Sequence, residues 1–359
     1  MGSLMEFKCP NCDASIHFDS GAQKMKCPYC GTELDIASLK ALDDVLKQEK
    51  PGEENWEKEA GSDWQPGEKE GMVVYSCKSC GGEILVDKNT AATSCPFCGN
   101  TVIMPRELAG ELRPDWVIPF KYDKNGAKEA LRRHMAGKKL LPKVFKDENH
   151  IDEIKGIYVP FWLFDCTADA HIRYQGVTYK RYASGGYNVT ERQVYAITRE
   201  GTLDFQNVPV DGSSQMPDEL MESIEPFDFG AAVDFQAAYL AGYLANRYDE
   251  DAETGKAKVN KRIVASTTAS FDASVTGFAE VTTQNRTINL IHGSVRYALL
   301  PVWMLNTTWR GRRYTFVMNG QSGKFAGDLP VDTGAYWRWF GTLFGVIAVA
   351  AFAAAKLFL

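Results

Sequence analysis

Eight of the nine cysteines fall into four Cys-x-x-Cys pairs within the first 98 residues. A Cys-x-x-Cys turn presents two thiolates to one ion, and two such turns complete a tetrahedral four-sulfur site, the arrangement typical of structural zinc. A shift of 68 places superimposes the first four cysteines on the second four without a gap, and both copies read Cys-x2-Cys-x14-Cys-x2-Cys. The predicted ligands of two zinc ions are Cys9, Cys12, Cys27 and Cys30 in the first copy, and Cys77, Cys80, Cys95 and Cys98 in the second.

Disulfide bonds and thiol redox chemistry are the alternatives to metal binding. Disulfides need an oxidising compartment, but the first thirty residues contain no apolar signal-peptide core, which favours the reducing cytoplasm. A redox Cys-x-x-Cys pair needs a βαβ context, which the sequence around these pairs does not indicate. Because four protein sulfurs leave no open coordination position, both zinc sites are predicted to be structural.

Motifs for other chemistry are incomplete. Neither Gly-Lys pair, at 255–256 and 323–324, has the preceding glycine and the following hydroxyl residue of a P-loop. Gly-Gln-Ser-Gly-Lys (320–324) misses the last glycine of a hydrolase nucleophile elbow and is typical of a hairpin turn. Cys166 lies in an apolar run, where a buried structural thiol is favoured over a nucleophile. The five histidines are scattered, so we predict no catalytic residues, no organic cofactor and no enzyme.

The two cysteine modules are predicted to be zinc ribbons at 1–40 and 73–106, joined by an acidic segment at 41–72. Ten Asp and Glu residues against four Lys and Arg residues give that segment a net charge of −6, which equals the charge of the whole chain. Its Pro and Gly residues and its few aliphatic residues predict a flexible tether.

The region 114–332 is richer in aromatic and β-branched residues, and we predict one α+β domain there. Apolar residues at helical spacing predict an amphipathic helix over 127–135. Further helices are predicted at 214–224, 231–247 and 257–274, and strands at 156–165, 170–175, 193–199, 287–292, 297–307 and 314–318.

Two short sequence echoes run through this domain. Tyr-Val-Pro-Phe-Trp-Leu (158–163) is similar to Leu-Leu-Pro-Val-Trp-Met (299–304), and Val-Pro-Val-Asp (208–211) is similar to Leu-Pro-Val-Asp (329–332). The offsets are 141 and 121 residues. Either two related β units or chance matches would explain them.

The C-terminal residues 336–359 are predicted to form a transmembrane helix. Residues 340–355 carry no charge, and continuing to Leu359 gives twenty residues, about 30 Å of helix. Tyr336, Trp337 and Trp339 suit a membrane interface, and a buried core helix is the alternative. The excess of Lys and Arg before the span predicts a single-pass protein of the cell membrane with a cytoplasmic N-terminus.

Residues 121–146 form a basic run, with nine Lys and Arg residues against two acidic residues. Such a run is a solvated face, a surface for anionic membrane lipid, or a contact for nucleic acid. The sequence leaves these three interpretations open. The whole-chain charge of −6 argues against a dedicated nucleic-acid binder.

The cysteine modules resemble the transcription factor IIB-type zinc ribbon. Over nearly the whole chain, the order of motifs resembles a family of bacterial zinc-ribbon membrane proteins. The motifs after the ribbons are Ile-Pro-Phe-Lys-Tyr (118–122), Gly-Ile-Tyr-Val-Pro-Phe-Trp-Leu-Phe-Asp (156–165), Tyr-Leu-Ala-Gly-Tyr (239–243), Leu-Pro-Val-Trp-Met-Leu (300–305) and Tyr-Thr-Phe-Val-Met-Asn-Gly-Gln-Ser-Gly (314–323). Members are often labelled primosomal-helicase-like, a label that the missing P-loop undermines. Some are encoded beside phage-shock protein A and stomatin/flotillin-type proteins, so the resemblance implies such partners and a role in membrane stress.

Two functional hypotheses follow from these features. The first is a membrane-anchored adaptor or scaffold whose ribbons and β domain recruit cytoplasmic proteins to the bacterial membrane, with membrane lipid as a second partner. The alternative is a membrane-tethered nucleic-acid-binding zinc-ribbon protein, which the ribbon type and the basic run favour.

Overall fold

The computed structural model describes residues 17–19, 24–28, 30–31, 33–34, 52–58, 60–65, 68–69, 72–87, 94–100, 103–106, 112–142, 145, 153–327 and 329–358. Within these residues the chain mixes α-helices with one large and one small β-sheet. The α-helices are α1 (Lys124–Met135), α2 (Asp218–Ser223), α3 (Ala252–Ala273) and α4 (Thr333–Phe358). The strands are β1 (His17–Asp19), β2 (Lys24–Lys26), β3 (Glu33–Leu34), β4 (Glu54–Lys58), β5 (Met72–Cys77), β6 (Glu83–Asp87), β7 (Ile103–Arg106), β8 (Trp116–Val117), β9 (Lys155–Ser184), β10 (Tyr187–Asp211), β11 (Val233–Asp234), β12 (Leu244–Asn246), β13 (Glu280–Trp309), β14 (Arg312–Asn319) and β15 (Phe325–Gly327).

The small sheet has the antiparallel order β1-β2-β3. The large sheet has the order β11-β8-β13-β9-β12-β6-β5-β7, while β10 pairs with β9, β14 with β13, β15 with β14 and β4 with β13. The chain divides into two compact units, the first made of 1–57, 165–205 and 260–293 and the second of 58–164, 206–259 and 294–359. The long strands β9, β10 and β13 therefore contribute residues to both units.

The core of the second unit is built on the first third of β9. Residues 156–164 are all buried, a continuous apolar run that suits a strand covered on both faces. Alternate residues point to opposite faces, so Ile157, Val159, Phe161 and Leu163 enter one cluster together with Leu300, Val302 and Met304 of β13. The predicted strand over 156–165 is thus the centre of the fold.

Trp162 of β9 and Trp303 of β13 occupy equivalent places in the second unit. The indole N–H of Trp162 donates to the carbonyl of Glu250 at 2.9 Å, and that of Trp303 donates to the carbonyl of Tyr122 at 3.0 Å. Each acceptor lies just before the start of a helix, α3 in the first case and α1 in the second. The start of α1, which precedes β9 in the sequence, is therefore bonded to β13. The start of α3, which precedes β13, is bonded to β9.

The starts of these two helices also match. Asp123 accepts a hydrogen bond from the N–H of Gly126 at 2.7 Å, and Asp251 accepts one from the N–H of Thr254 at 2.8 Å. An aspartate at this place satisfies an N–H group that the helix itself leaves unpaired. The capping aspartates therefore hold α1 and α3 in the same relation to the preceding carbonyl.

A third pair of matched contacts joins a proline of β9 or β13 to the glycine that directly follows the next strand. The N–H of Gly212 donates to the carbonyl of Pro160 at 2.9 Å, and the N–H of Gly320 donates to that of Pro301 at 2.8 Å. In addition, β12 runs parallel to β9, and β8 runs parallel to β13, each through two residues. These matched contacts favour two related β units within the second compact unit, one built on β9 and the other on β13. The short strand and the helix that precede each long strand in the sequence pack against the other long strand.

Only the first of the two sequence echoes follows this relation. Pro160 and Trp162 correspond to Pro301 and Trp303 at the offset of 141, as the first echo requires. The second echo does not, because the matched glycines place Asp211 opposite Asn319 and not opposite Asp332.

The helix predicted over 127–135 is confirmed, and its four buried residues are the predicted apolar ones, Ala127, Ala130, Leu131 and Met135. The helix predicted at 257–274 begins five residues earlier, and the one predicted at 214–224 shortens to α2. The helix predicted over 231–247 is wrong. Two 3-10 turns, Phe229–Ala231 and Ala237–Leu240, and the strands β11 and β12 occupy this region. Gly242 takes a φ of 82°, a left-handed conformation that a continuous helix does not allow.

The predicted strands are present but merge into longer ones. Segments 156–165 and 170–175 both lie in β9, 193–199 lies in β10, 287–292 and 297–307 both lie in β13, and 314–318 lies in β14. Asn207 and His292 have φ values of 52° and 55° without ending β10 or β13. Left-handed residues inside a strand mark local bends, so β13 bends at the residue where the predicted strand 287–292 ends.

Part of the acidic segment 41–72 differs from the predicted tether. β4 pairs with β13, and the N–H of Leu290 donates to the carbonyl of Glu53 at 2.8 Å. Further along, the guanidinium of Arg113 donates to both carboxylate oxygens of Glu68, at 2.9 and 3.2 Å, and this bond lowers the pKa of Glu68. A low apolar content did not prevent backbone pairing and a bidentate ion pair in this segment.

In the first unit, β9 and β10 form a long hairpin closed by Gly185 and Gly186, both with positive φ. The N–H of Ala279, which directly precedes β13, donates to the carbonyl of Val177 at 2.7 Å. Among the described residues, β10 is the strand that pairs with β9 beyond this point. Residues 179–188 are all exposed, so the end of the hairpin is a two-stranded ribbon with both faces in solvent.

Helix α4 is apolar and exposed. Residues 336–352 are all exposed, although 340–352 carry no charge. By length and composition, Thr333–Phe352 can cross a membrane, and 6% of its most apolar window is buried. The alternative of a buried core helix is therefore wrong.

Asp211 is a buried carboxyl group whose counterpart in the other β unit is an amide. Asn319 donates to the carbonyl of Ile224 at 3.0 Å, and its oxygen accepts two backbone N–H groups. Asp211 is 6% exposed, and its Oδ2 has no hydrogen-bond partner among the residues that the structure describes. Burial, reinforced by the charge of Asp218, raises the pKa of Asp211 from 3.8 to about 7.

We expect Asp211→Asn to remove a pH-dependent loss of stability. Because the folded-state pKa lies above the unfolded one, the folded state binds the extra proton between pH 4 and 7, and wild-type stability falls as pH rises through this window. Between pH 5.5 and 8, the variant should gain about 2 kcal/mol over the wild type in free energy of unfolding. Denaturant titration of the detergent-solubilised chain measures this, with the exposed Asp234→Asn as control. Parallel pH profiles for Asp211→Asn and wild type would contradict the assignment.

Candidate metal centre

The four cysteines of the second copy converge on one point. The Sγ atoms of Cys77, Cys80, Cys95 and Cys98 all lie within 4.8 Å of one another. The Sγ atoms of Cys77 and Cys98 are 3.6 Å apart, and so are those of Cys80 and Cys95. A tetrahedral ion with metal–sulfur bonds of about 2.3 Å would separate its sulfurs by about 3.8 Å. The four predicted ligands of this copy are thus together and can hold one metal ion.

The same backbone turn closes both halves of this cluster. The N–H of Gly81 donates to the carbonyl of Cys77, and the N–H of Gly99 donates to the carbonyl of Cys95, both at 2.9 Å. The two glycines have φ values of 77° and 76°, which glycine adopts without the steric cost of a side chain. The Cys-x-x-Cys-Gly spacing therefore fixes the position of each thiol pair.

The local environment gives the thiols of Cys77 and Cys95 different pKa values. Burial raises the pKa of Cys77, but backbone N–H groups of Cys80 and Ser79 outweigh it and lower the pKa to about 7. Burial raises the pKa of Cys95 well above its ordinary value, because its thiol is enclosed in the core. Without a cation, a buried thiolate at Cys95 is therefore costly. A bound metal ion would supply the charge that stabilises all four thiolates.

Side chains of the large sheet hold the second Cys-x-x-Cys turn in place. Phe97, inside this turn, is buried in the main core. The amide of Asn306 on β13 donates to the carbonyls of Pro96 and Phe97, and Arg313 on β14 donates to the carbonyl of Phe97 at 3.3 Å. Sequence reasoning missed Asn306 and Arg313, because nothing near either residue indicates a contact more than 200 positions away.

The strands of the second copy belong to the large sheet. β6 pairs antiparallel with β12, with Asn246 opposite Ile84, and Ile84 is buried in the main core. Arg247, next to β12, forms an ion pair with Glu83. The cysteine cluster is therefore built into the second unit and is not an appended module.

The first copy is described in part. The N–H of Gly31 donates to the carbonyl of Cys27 at 3.0 Å, and Gly31 has a φ of 72°, so this turn repeats the geometry of the second copy. Cys30 is also described and is exposed. Cys9 and Cys12 lie outside the described residues, so the first metal site stays a prediction.

Cys166 is the ninth cysteine and lies in β9, outside the cluster. Its side chain is buried. Burial, together with the charges of Asp165 and Asp204, raises the pKa of its thiol to about 11. A nucleophilic cysteine needs a thiolate, so this environment favours a structural thiol.

Comparison with known proteins gives one informative relative. No family model matches the chain, and no solved structure matches it. The chain is 33% identical over 342 residues to the uncharacterized protein YdjG of Bacillus subtilis (strain 168), and the match covers 95% of each chain. A similarity of this extent, which covers nearly the whole of both proteins, shows that the chain belongs to the same family as YdjG.

Proposed function

We propose that this chain is a membrane-anchored zinc-ribbon adaptor that recruits cytoplasmic proteins to the bacterial membrane. The observation that carries the proposal is the exposed apolar helix α4 on a chain whose cysteine cluster is closed to substrate. An apolar helix with solvent on all sides is unfavourable in water and favourable in a bilayer. With four sulfurs around one ion, no coordination position remains for a reacting water. These features support binding and positioning over catalysis.

Zinc is the metal that this donor set favours. Four thiolates in a tetrahedral arrangement suit zinc, and short sulfur–sulfur distances fit its bond length. By the repeated spacing, the first copy holds a second zinc ion through Cys9, Cys12, Cys27 and Cys30. Both copies are then zinc ribbons of the transcription factor IIB type, and both ions are structural.

The charges around α4 support a cytoplasmic N-terminus. Before the apolar stretch, the chain carries Arg310, Arg312, Arg313, Lys324 and Arg338, and after it one residue, Lys356. Loops rich in Lys and Arg stay on the cytoplasmic side of the membrane. The ribbons and the large sheet then face the cytoplasm, the reducing compartment that zinc thiolates need.

The partners are proposed from the family resemblance. Some of the bacterial zinc-ribbon membrane proteins that this chain resembles are encoded beside phage-shock protein A and stomatin/flotillin-type proteins. We therefore propose proteins of these kinds as the partners, and membrane stress as the condition under which they are recruited. The exposed hairpin end at 179–188 offers an accessible surface for such a partner.

We expect the purified full-length chain to contain two zinc ions, because both copies have a complete set of four cysteines. Cys77→Ala should reduce the content to one ion and destabilise the second unit, since Cys77 lies in its core. Elemental analysis of the detergent-solubilised chain measures the metal content. The matched control is Cys166→Ala, which removes a buried thiol outside the clusters and should keep two ions. One ion in the wild type, or equal losses in both variants, would contradict the two-site assignment.

The adaptor proposal predicts that membrane anchoring and partner binding reside in different parts of the chain. Removing 336–359 should release the chain into the soluble fraction while it keeps its protein partners. Replacing the same residues by an unrelated transmembrane helix should restore the membrane location and leave the partners unchanged. Carbonate extraction followed by cross-linking and mass spectrometry measures the two properties. Full-length chain in the carbonate supernatant would refute the anchor, and loss of partners in the helix-replaced chain would refute recruitment by the cytoplasmic part.

Nucleic-acid binding is the second candidate function, and the hairpin end favours it. Tyr179, Tyr182 and Tyr187 are exposed there beside Lys180 and Arg181. Aromatic rings that stack on bases and cations that contact phosphates are the usual elements of single-strand binding. Against it stand the net charge of −6 and the acidic segment before the second copy.

We expect the full-length chain to bind single-stranded DNA no better than micromolar at physiological salt, on the order of non-specific affinities. Fluorescence anisotropy with a labelled oligonucleotide measures the affinity. Submicromolar binding that is lost when Lys180 and Arg181 are both changed to Glu, and kept when Lys256 and Lys261 are changed instead, would favour nucleic acid over the adaptor.

A further inference from the structure

The basic loop after α1 is joined to the start of α4. The N–H of Asp332, one residue before α4, donates to the carbonyl of Leu140 at 2.8 Å. The Nζ of Lys139 lies 4.0 Å from the centre of the Trp339 ring, within the range of a cation–π interaction. Two contacts of different kinds therefore hold this part of the 121–146 basic run beside the first turns of the apolar helix.

The described residues of this loop include two lysines, which differ in what they can bind. Lys138 is half-buried, its Nζ lies 2.8 Å from Nε2 of His134, and burial lowers its pKa. Lys139 is exposed, and its ammonium packs on an aromatic face, which uses none of its three N–H donors for an acceptor in the protein. Among the described residues of this loop, Lys139 is therefore the cation that can contact an external anion.

Trp339 sets the depth at which this cation would lie. Residues 340–355 are uncharged and suit the apolar layer, and they directly follow Trp337, Arg338 and Trp339. Tryptophan is enriched at the boundary between lipid headgroups and hydrocarbon. An ammonium packed on Trp339 is thus at the level of the lipid phosphates, and Arg338 is exposed at the same level of α4.

We propose that Lys139, packed on Trp339 and assisted by Arg338, binds the headgroup phosphate of an anionic phospholipid at the cytoplasmic surface of the bilayer. This inference rests on the proposed function, because it requires α4 to cross the membrane. Of the lipids present in a bilayer, one with net negative charge is favoured, since a zwitterionic headgroup carries its own cation next to the phosphate. A diffuse attraction of all nine basic residues would need no such contact, and the test separates the two.

The test uses the full-length chain in bilayers of phosphatidylcholine with phosphatidylglycerol as the anionic component. Spin-labelled phosphatidylglycerol and spin-labelled phosphatidylcholine are compared for the fraction immobilised by the protein. We expect the wild type to immobilise phosphatidylglycerol in preference to phosphatidylcholine. Lys139→Gln should lower the relative affinity of its site for phosphatidylglycerol by about fivefold, the effect of one basic residue near an anionic surface. Trp339→Leu should lower the preference as well, because the ammonium then loses its support.

Lys121→Gln is the matched control, since it removes the same charge from an exposed position of the same basic run. The proposal is upheld if Lys121→Gln keeps the wild-type preference while Lys139→Gln loses it. If both variants change the lipid preference equally, or neither changes it, the proposed site is refuted. The membrane anchor is not refuted by that result if all variants resist carbonate extraction. Failure of the wild type to enter the bilayer would overturn both the site and the proposed function. A loss of DNA binding in Lys139→Gln, with unchanged lipid preference, would reassign the loop to nucleic acid.

Discussion

The indole N–H groups of Trp162 and Trp303 are buried and need acceptors away from water. Each finds the carbonyl that comes just before a helix, so the two bonds join β9 to the start of α3 and β13 to the start of α1. In the sequence, however, α1 precedes β9 and α3 precedes β13. Each related β unit therefore completes the other, and neither has its full set of contacts alone. Residues of β9 and β13 accordingly meet in one core cluster, and the buried face of α1 packs with Trp303 in a second cluster.

The cysteine cluster depends on the same core. A ribbon of about thirty residues buries too little apolar surface to fold without metal. Contacts with the large sheet also stabilise the second copy. Phe97 is buried in the main core, and Asn306 and Arg313 donate hydrogen bonds to carbonyls of the turn. A metal ion held by this copy would therefore link metal binding to the folding of the second unit. Such a structural ion would suit the proposed adaptor, which needs surfaces fixed in place.

The sequence predicted the parts of the fold that local rules decide. The cysteine spacing identified all four residues of the described cluster, and helical spacing identified the buried face of α1, because short-range geometry determines both. The helix predicted over 231–247 was wrong because its apolar spacing serves 3-10 turns and short strands, which contacts with distant strands stabilise. Asn306 was missed for the same reason, since its role depends on the partner that the fold brings to it. Long-range pairing decides these cases, and one sequence does not show it.

The matched contacts also show where the two β units differ. Asn319 has an amide in a buried site with hydrogen-bond partners, whereas Asp211 has a carboxyl oxygen without a partner in the described part of the chain. On one side, α1 leads into the loop that contacts α4, which ties this β unit to the apolar helix. Trp303 bonds to the residue two places before α1, and Asn306 on the same strand bonds to the second Cys-x-x-Cys turn. The supports of the cysteine cluster and of the proposed anchor thus lie three residues apart on β13. A protein bound near the cluster would then be held at a set distance from the membrane surface, because strand and helix, and not a tether, connect the two.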